Sequence, residues 1–263
     1  TRAGDRAWDL YSIGILRIED IPVEYPMGDS HRIQQMSEIT GEPYIIQEEI
    51  ERFLKEIEYP AHHFDFETIM SAVPMFDQSR PYQQIPFQYS VHIQESQGAE
   101  PVHLEYLPKT ASGLSSEDPR EKLIIKMLQD LGTQGTILAY HASFEIGRIR
   151  ERARDFPAYN EALLALNKRV VDLEVPFRNK YYYTKQMQGR SSIKKVLPAL
   201  VPELSYADLE IKEGGTASAT FLAMHQGNFQ GDYNSSRKAL LKYCELDTYA
   251  MVKLLEKLYE VLR

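Results

Sequence analysis

The segment HHFDFET, residues 62–68, decides the fold because it combines a strand pattern with a pair of acids. Asp65 and Glu67 are two positions apart, so in a strand their side chains point to the same side of the sheet. Two carboxylates held together repel each other, and a divalent cation with oxygen ligands is an arrangement that compensates this and also supplies chemistry. Two acids on the solvent face of an edge strand are the commoner origin of such a pattern. The segment alone therefore indicates a strand and leaves both interpretations of its acids open.

Strand and helix patterns around this segment predict a mixed α/β fold. Three strands in succession, followed by alternating helices and strands, are typical of a mixed sheet that begins as an antiparallel meander. We therefore expect an α/β domain with a mixed five-stranded sheet flanked by helices. The predicted strands are residues 62–67, 87–94, 102–107, 136–140 and 169–173, and the predicted helices that follow the first strand are residues 118–131, 144–153, 192–201, 216–226 and 235–262.

The bulk composition excludes several classes of protein. A single cysteine in 263 residues excludes an intramolecular disulfide and a cysteine-rich zinc site, which favours a reducing compartment and a cytoplasmic enzyme. No apolar run approaches the roughly 18 residues of a membrane span, and no signal-peptide pattern is found. A net charge of −8 argues against binding of duplex phosphates over a broad basic face. An acidic pocket filled by metal would still attract a phosphate, so a nuclease is compatible with this charge.

The segment AYHASFEIGRI, residues 139–149, places another acid where a strand gives way to a helix. The strand-like run ends at Tyr140 and the helix begins near Phe144, so Glu145 lies in its first turn. An acid in that position is stabilised by the helix dipole, which is a sufficient structural reason for it. The end of a central strand and the turn after it are also where sites form in sheets of this kind. Glu145 is therefore a candidate site residue.

The segment YCELD, residues 243–247, supplies the third signal. Tyr243 and Asp247 are four positions apart and share one face of a long predicted helix. Asp247 falls within the apolar stripe of that helix, between Cys244 and Met251, and not among its charged residues. Acids are seldom fully buried without a partner. We interpret Asp247 as a metal ligand in preference to a solvated surface acid.

Together these segments resemble the three exonuclease motifs of the DEDD superfamily, whose members have an RNase H-like fold. The tyrosine of YCELD makes the chain similar to the DEDDy branch, and the resemblance covers about residues 61–262. The stretches VVDLEVPF and SSIKKVLPALVPELSY also resemble an uncharacterised bacterial group of predicted RNase H-like nucleases, a domain of unknown function. We therefore expect an RNase H-like exonuclease domain over residues 59–263 and a small helical extension over residues 1–58. Because the chain begins at Thr1, we expect it to be a segment of a longer polypeptide.

The resemblance implies a metal-dependent 3′→5′ exonuclease that hydrolyses phosphodiester bonds of single-stranded DNA or RNA. It implies two ions, Mg²⁺ or Mn²⁺, held by the motif acids Asp65, Glu67, Glu145 and Asp247. Asp65 would bridge the two ions, and Tyr243 would position the attacking water. Two alternatives stay open. One is a non-catalytic or weakly active nucleic-acid-binding module with this fold, and the other is an RNase H-like endonuclease.

The second motif departs from the superfamily pattern, which usually carries an aspartate preceded by an asparagine. This chain has Glu145 and His141 there, and the longer glutamate side chain reaches a metal with a different stand-off. His141 is a secondary candidate, and Asp172 is a reserve candidate for the missing aspartate, although a cap at a strand end explains it equally well. The expected substrate-binding residues are Thr68, Phe144, Lys194 and Lys195, of which the two lysines are also typical of a solvated helix.

Overall fold

The computed structural model of the chain describes residues 5–109 and 118–263. Its strands are β1 (Tyr44–Ile45), β2 (Ala61–Met70), β3 (Gln84–Gln94), β4 (Val102–Tyr106), β5 (Ile137–Ala139), β6 (Val170–Asp172) and β7 (Tyr182–Tyr183). Its α-helices are α1 (Arg6–Ser12), α2 (Asp29–Thr40), α3 (Gln47–Leu54), α4 (Arg120–Leu131), α5 (Ser143–Asp155), α6 (Asn160–Asn167), α7 (Val175–Arg178), α8 (Ile193–Leu200), α9 (Gly214–His225) and α10 (Tyr233–Glu260). The chain divides into two compact units.

The larger unit comprises the described parts of Ile57–Leu173 and Ser205–Glu256 and is built on a five-stranded sheet. The strand order is β4-β3-β2-β5-β6. β3 is antiparallel to both β2 and β4, whereas β5 runs parallel to β2 and β6 runs parallel to β5. This confirms the predicted α/β fold, a mixed sheet that begins as an antiparallel meander, and it is the arrangement that the expected RNase H-like fold implies.

The apolar residues of β2 determine the side of the sheet on which its acids lie. Phe64 and Phe66 are buried in a hydrophobic cluster with side chains of α4, α5 and α6. Ile69 belongs to a different cluster, with side chains of α9 and α10. Because successive residues of a strand point to opposite faces, Asp65 and Glu67 share the Ile69 face. The two acids therefore face the C-terminal helices.

A bulge interrupts the pairing of β2 with β3 next to the second of these acids. Glu67 pairs with Gln88 and Thr68 pairs with Pro86, which leaves Phe87 as the extra residue of β3. The Phe87 ring stacks on that of Phe221 in α9, with ring centroids 3.9 Å apart. The extra residue thus joins α9 to the sheet at the place where β2 carries Glu67.

The smaller unit comprises the described residues up to Glu56 together with Glu174–Leu204 and Lys257–Arg263. It contains α1, α2, α3, α7 and α8, and the first three confirm the expectation of short helices in this part of the chain. β1 and β7 form a two-stranded antiparallel sheet within it. Among the described residues, no helix combines the length and apolar character needed to cross a membrane. The domain range 59–263 stays a prediction.

Candidate metal centre

Four carboxylates from three elements meet in the larger unit. β2 carries Asp65 and Glu67, α5 carries Glu145 in its first turn, and α10 carries Asp247. Burial raises the pKa of Asp65 well above its usual value, and the charges of Asp247, Glu145 and Glu67 raise it further. Ligand atoms of Asp65 and Glu67 lie within 4.8 Å of each other, and Glu145 and Asp247 lie near enough for their charges to act on Asp65. We call these four residues the acid centre.

Glu145 is the most deeply buried residue of the acid centre. Its side chain is 2% exposed, and among the described residues its Oε2 atom has no hydrogen-bond partner. Burial raises the pKa of Glu145 to about 8, and the charge of Asp172 also raises it. A buried carboxylate oxygen without a partner is costly unless a cation binds it. Its oxygen therefore fits a cation in the acid centre.

Asp247 has a partner that the sequence patterns do not identify. Its Oδ1 atom accepts a hydrogen bond of 2.6 Å from the hydroxyl of Tyr206, 41 positions earlier in the chain. Burial raises the pKa of Tyr206, and the charge of Asp247 raises it further, so the tyrosine donates as a neutral phenol. Tyr206 ends the stretch SSIKKVLPALVPELSY, but no spacing rule pairs it with Asp247.

Tyr243 lies both in the hydrophobic core and beside the acids. Its side chain is 4% exposed and belongs to the cluster that contains Ile69. Burial raises the pKa of Tyr243, and the charges of Asp247, Glu67 and Asp65 raise it further. The hydroxyl is therefore protonated at neutral pH, which suits a group that orients water by a hydrogen bond and does not suit a base.

Two further features of α9 and α10 border the acid centre. The Cys244 Sγ atom lies within 4.8 Å of carboxylate oxygens of Asp65 and Glu67. Burial raises the pKa of the Cys244 thiol and the charge of Asp65 raises it further, so the thiol is uncharged. Its sulfur lines the acid centre. A Cβ built on Gly214, the first residue of α9, would lie 3.6 Å from Glu67 Oε2. The positive end of the α9 dipole therefore lies beside this acid.

The turn between β5 and α5 contains the two secondary candidates. His141 adopts a left-handed conformation with φ 67°, and its backbone N–H donates to Asp172 Oδ1 over 2.9 Å. Asp172 therefore stabilises the turn. This is the structural role expected for it as the alternative to binding a metal. Its charge also raises the pKa of Glu145, so Asp172 borders the acid centre as well. The His141 side chain is exposed.

The expected substrate contacts lie in different surroundings. Thr68 directly follows Glu67 in β2 and is partly buried, and the Phe144 ring lies 5.1 Å from the guanidinium carbon of Arg148. Lys194 and Lys195 belong to α8 in the smaller unit, where Lys195 Nζ donates to Gln188 Oε1 over 3.0 Å. Their contact with a substrate stays a prediction.

Comparisons with known proteins match part of the chain to a domain that has no assigned function. Residues 62–192 match a family described as Domain of unknown function (DUF2779). The chain is 30% identical over 203 residues to the uncharacterized protein MG366 homolog of Mycoplasma pneumoniae and 28% identical over 206 residues to the uncharacterized protein MG366 of Mycoplasma genitalium. These alignments cover 72% and 73% of this chain and 31% of each relative, so the chain spans about a third of the length of the curated relatives it matches.

No solved structure gives a significant match to the chain. The family match confirms the coarser part of the expected resemblance, which is to an uncharacterised group with a domain of unknown function. Residues 62–192 are therefore similar to the domain of unknown function DUF2779, and the chain is similar to uncharacterized proteins of Mycoplasma.

Proposed function

We propose that this chain is a metal-dependent 3′→5′ exonuclease of the DEDDy type that acts on single-stranded DNA or RNA. The observation that carries the proposal is the arrangement of the acid centre around Asp65, whose ligand atom lies within 4.8 Å of that of Glu67 and whose pKa is raised by burial and by the charges of the other three acids. Four carboxylates in one place repel each other unless cations are bound between them. In a protein that binds no cations, this repulsion would lower the free energy of unfolding.

The acid centre fits hard divalent cations. Its donors are oxygens, which Mg²⁺ and Mn²⁺ prefer, and a cation would satisfy the Oε2 atom of Glu145, which has no hydrogen-bond partner in residues 5–109 and 118–263. Asp65, Glu67, Glu145 and Asp247 would hold the ions, and the charges of the other three act on Asp65. When bound, two such ions supply an activated water and offset the charge that develops on a phosphodiester.

Two tyrosines complete the arrangement around these acids. Tyr206 fixes the orientation of the Asp247 carboxylate through its hydrogen bond, as outer groups commonly do for metal ligands. Tyr243 is held rigidly because its ring packs in the hydrophobic core, and its neutral hydroxyl would orient the attacking water. The acids would thus hold the ions, and the two tyrosines would orient a carboxylate and the attacking water. The hydroxyl of Tyr243 is not required to lose its proton.

A digestion assay with end-labelled oligonucleotides tests the proposal. The protein is incubated in Mn²⁺ with linear single-stranded DNA and RNA, each labelled at the 5′ end, and with a closed single-stranded circle. We expect linear strands to shorten stepwise from the 3′ end with release of mononucleotides. We expect the circle to stay intact. Cleavage of the circle would establish the endonuclease instead. Binding of the strands without any shortening would establish the non-catalytic module.

A further inference from the structure

A second group of metal-ligating side chains lies where β3, β4 and α10 meet in the larger unit. His92 of β3 and His103 of β4 are directly opposite each other in the antiparallel pair. Their rings stack with centroids 4.5 Å apart and an interplanar angle of 22°. One ligand atom from each of His92, His103 and Glu245 lies within 4.8 Å of the other two. We call these three residues the histidine cluster.

Hydroxyl groups beneath the histidine cluster hold one nitrogen of each ring. His92 Nδ1 lies 2.8 Å from Thr248 Oγ1, and His103 Nε2 lies 2.9 Å from Ser90 Oγ. The two hydroxyl oxygens are 2.7 Å apart and so join both rings in one network. Among the described residues, His92 Nε2 and His103 Nδ1 have no hydrogen-bond partner. A histidine that binds a metal typically has this arrangement, with one nitrogen oriented by a hydrogen bond and the other available.

The third ligand can adjust its position. Ligand atoms around a tetrahedral Zn²⁺ lie about 3.3 Å apart, somewhat closer than the upper limit of 4.8 Å found here. The Glu245 side chain is 33% exposed, and its ion pair with Lys242, at 3.1 Å, is a surface pair of the kind that contributes little. Because the two ring planes lie only 22° apart, an ion bound by both histidines requires the partly exposed His103 ring to turn, together with a rotation of Glu245 that brings its carboxylate onto the ion.

We propose that His92, His103 and Glu245 form a binding site for a transition-metal cation, Zn²⁺ being the best fit, which ties α10 to β3 and β4. Two imidazoles and one carboxylate suit Zn²⁺, whereas Mg²⁺ prefers oxygen ligands. The fourth position of the ion is left for water. This site is chemically distinct from the acid centre and does not depend on the proposed nuclease activity.

Metal titration of the chelator-treated protein tests the site. Binding of Zn²⁺ is measured by competition with a chromophoric chelator in excess Mg²⁺, and Co²⁺ serves as a spectroscopic probe of imidazole ligation. We expect one Zn²⁺ per chain that Mg²⁺ does not displace. His103→Ala and Glu245→Gln, which alter partly exposed side chains, should each weaken Zn²⁺ binding at least about tenfold. Thr248→Val, which removes the group that orients His92, should weaken it by roughly 10- to 100-fold.

Two control variants separate this site from other sources of zinc binding. His31→Ala removes a histidine of the smaller unit and should leave the affinity unchanged. Asp65→Asn alters the acid centre and should also leave the tight Zn²⁺ site intact. Melting curves of each variant in chelator establish that it is folded. Zn²⁺ binding that is absent, that survives His103→Ala and Glu245→Gln, or that is lost in Asp65→Asn would overturn the proposal.

Discussion

The hydroxyl of Tyr206 donates a hydrogen bond of 2.6 Å to Oδ1 of Asp247, which explains how a helix of the core tolerates this acid. Asp247 lies on α10 and is 9% exposed. A hydrogen bond to a charged group contributes more than one between neutral groups, and it also fixes the direction in which the carboxylate points. The phenol is therefore a positioning group for a predicted metal ligand.

Tyr206→Phe should weaken Mn²⁺ binding to the acid centre by roughly 10- to 100-fold, because the Asp247 carboxylate loses its orienting donor. Isothermal titration of the chelator-treated variant measures this. Tyr159→Phe is the matched control, since Tyr159 donates a 3.0 Å bond to the carboxylate of Glu121 at an exposed position. An equal, small effect of both substitutions would reduce Tyr206 to a structural residue.

The metal-free protein should lose stability as the pH rises. Burial raises the pKa of Glu145 from its ordinary 4.5 to about 8, so the folded state holds a proton that the unfolded state releases. A raised folded-state pKa gives stability that is fully present below pH 4.5 and is lost as the pH rises toward 8. Denaturation in chelator at several pH values should show a loss of order a few kcal/mol over this window.

Glu145→Gln should reduce the slope of that pH profile, because the amide has no proton to lose, and Asp65, whose pKa is also raised, should account for the slope that remains. Saturating Mn²⁺ should also reverse the slope for the unaltered protein, since the cation binds the ionised carboxylate. A variant whose stability falls with pH as steeply as that of the unaltered chain would show that another group titrates.

Glu145→Gln and Asp172→Asn should differ sharply in hydrolysis. Within the described part of the chain, Glu145 Oε2 is a buried oxygen without a hydrogen-bond partner, whereas Asp172 Oδ1 accepts the backbone N–H of His141. The asparagine keeps a carbonyl oxygen that can accept this bond, so Asp172→Asn should retain most of the rate. Single-turnover digestion of a labelled strand compares the two. If only the Asp172 change silences hydrolysis, the assignment of the second-motif ligand is reversed.

Tyr243→Phe should lower the rate by roughly 10²-fold or more, because it deletes the hydroxyl expected to orient water while keeping the ring in the core. The melting temperature should fall little. Tyr89→Phe is the control for a purely structural tyrosine, since Tyr89 donates a 2.6 Å bond to Asp130 and belongs to the cluster on the opposite face of the sheet. It should lose stability and keep its rate. An unchanged rate in Tyr243→Phe would remove Tyr243 from the mechanism.

The sheet of the larger unit is predictable from sequence because its strands are marked by alternation or by short apolar runs. The acids are predictable in part for the same reason, since Phe64 and Phe66 fix the opposite side for Asp65 and Glu67. The strands β1 and β7 have two residues each, too few for a periodic pattern. The short helices α6 and α7 follow without a strong start signal, and the patterns do not predict them.

Contacts between residues far apart in the chain are the part that the sequence does not reveal. Tyr206 and Asp247 are 41 positions apart, and no local spacing records their hydrogen bond. The histidine cluster depends on the register that pairs His92 with His103. His92 falls within a predicted strand, but the register of that strand against β4 comes only from the folded sheet.

Single-turnover hydrolysis of a 5′-labelled single strand by Asp65→Asn, in Mn²⁺, is the most direct test of the central claim. Asp65 interacts with all three other acids, and the substitution keeps its shape while removing its charge. We predict 3′→5′ shortening by the unaltered chain and a loss of several orders of magnitude in rate for the variant. In chelator the variant should be at least as stable as the unaltered chain, because one repelling charge is gone. Hydrolysis by Asp65→Asn at a rate close to that of the unaltered chain would contradict the account.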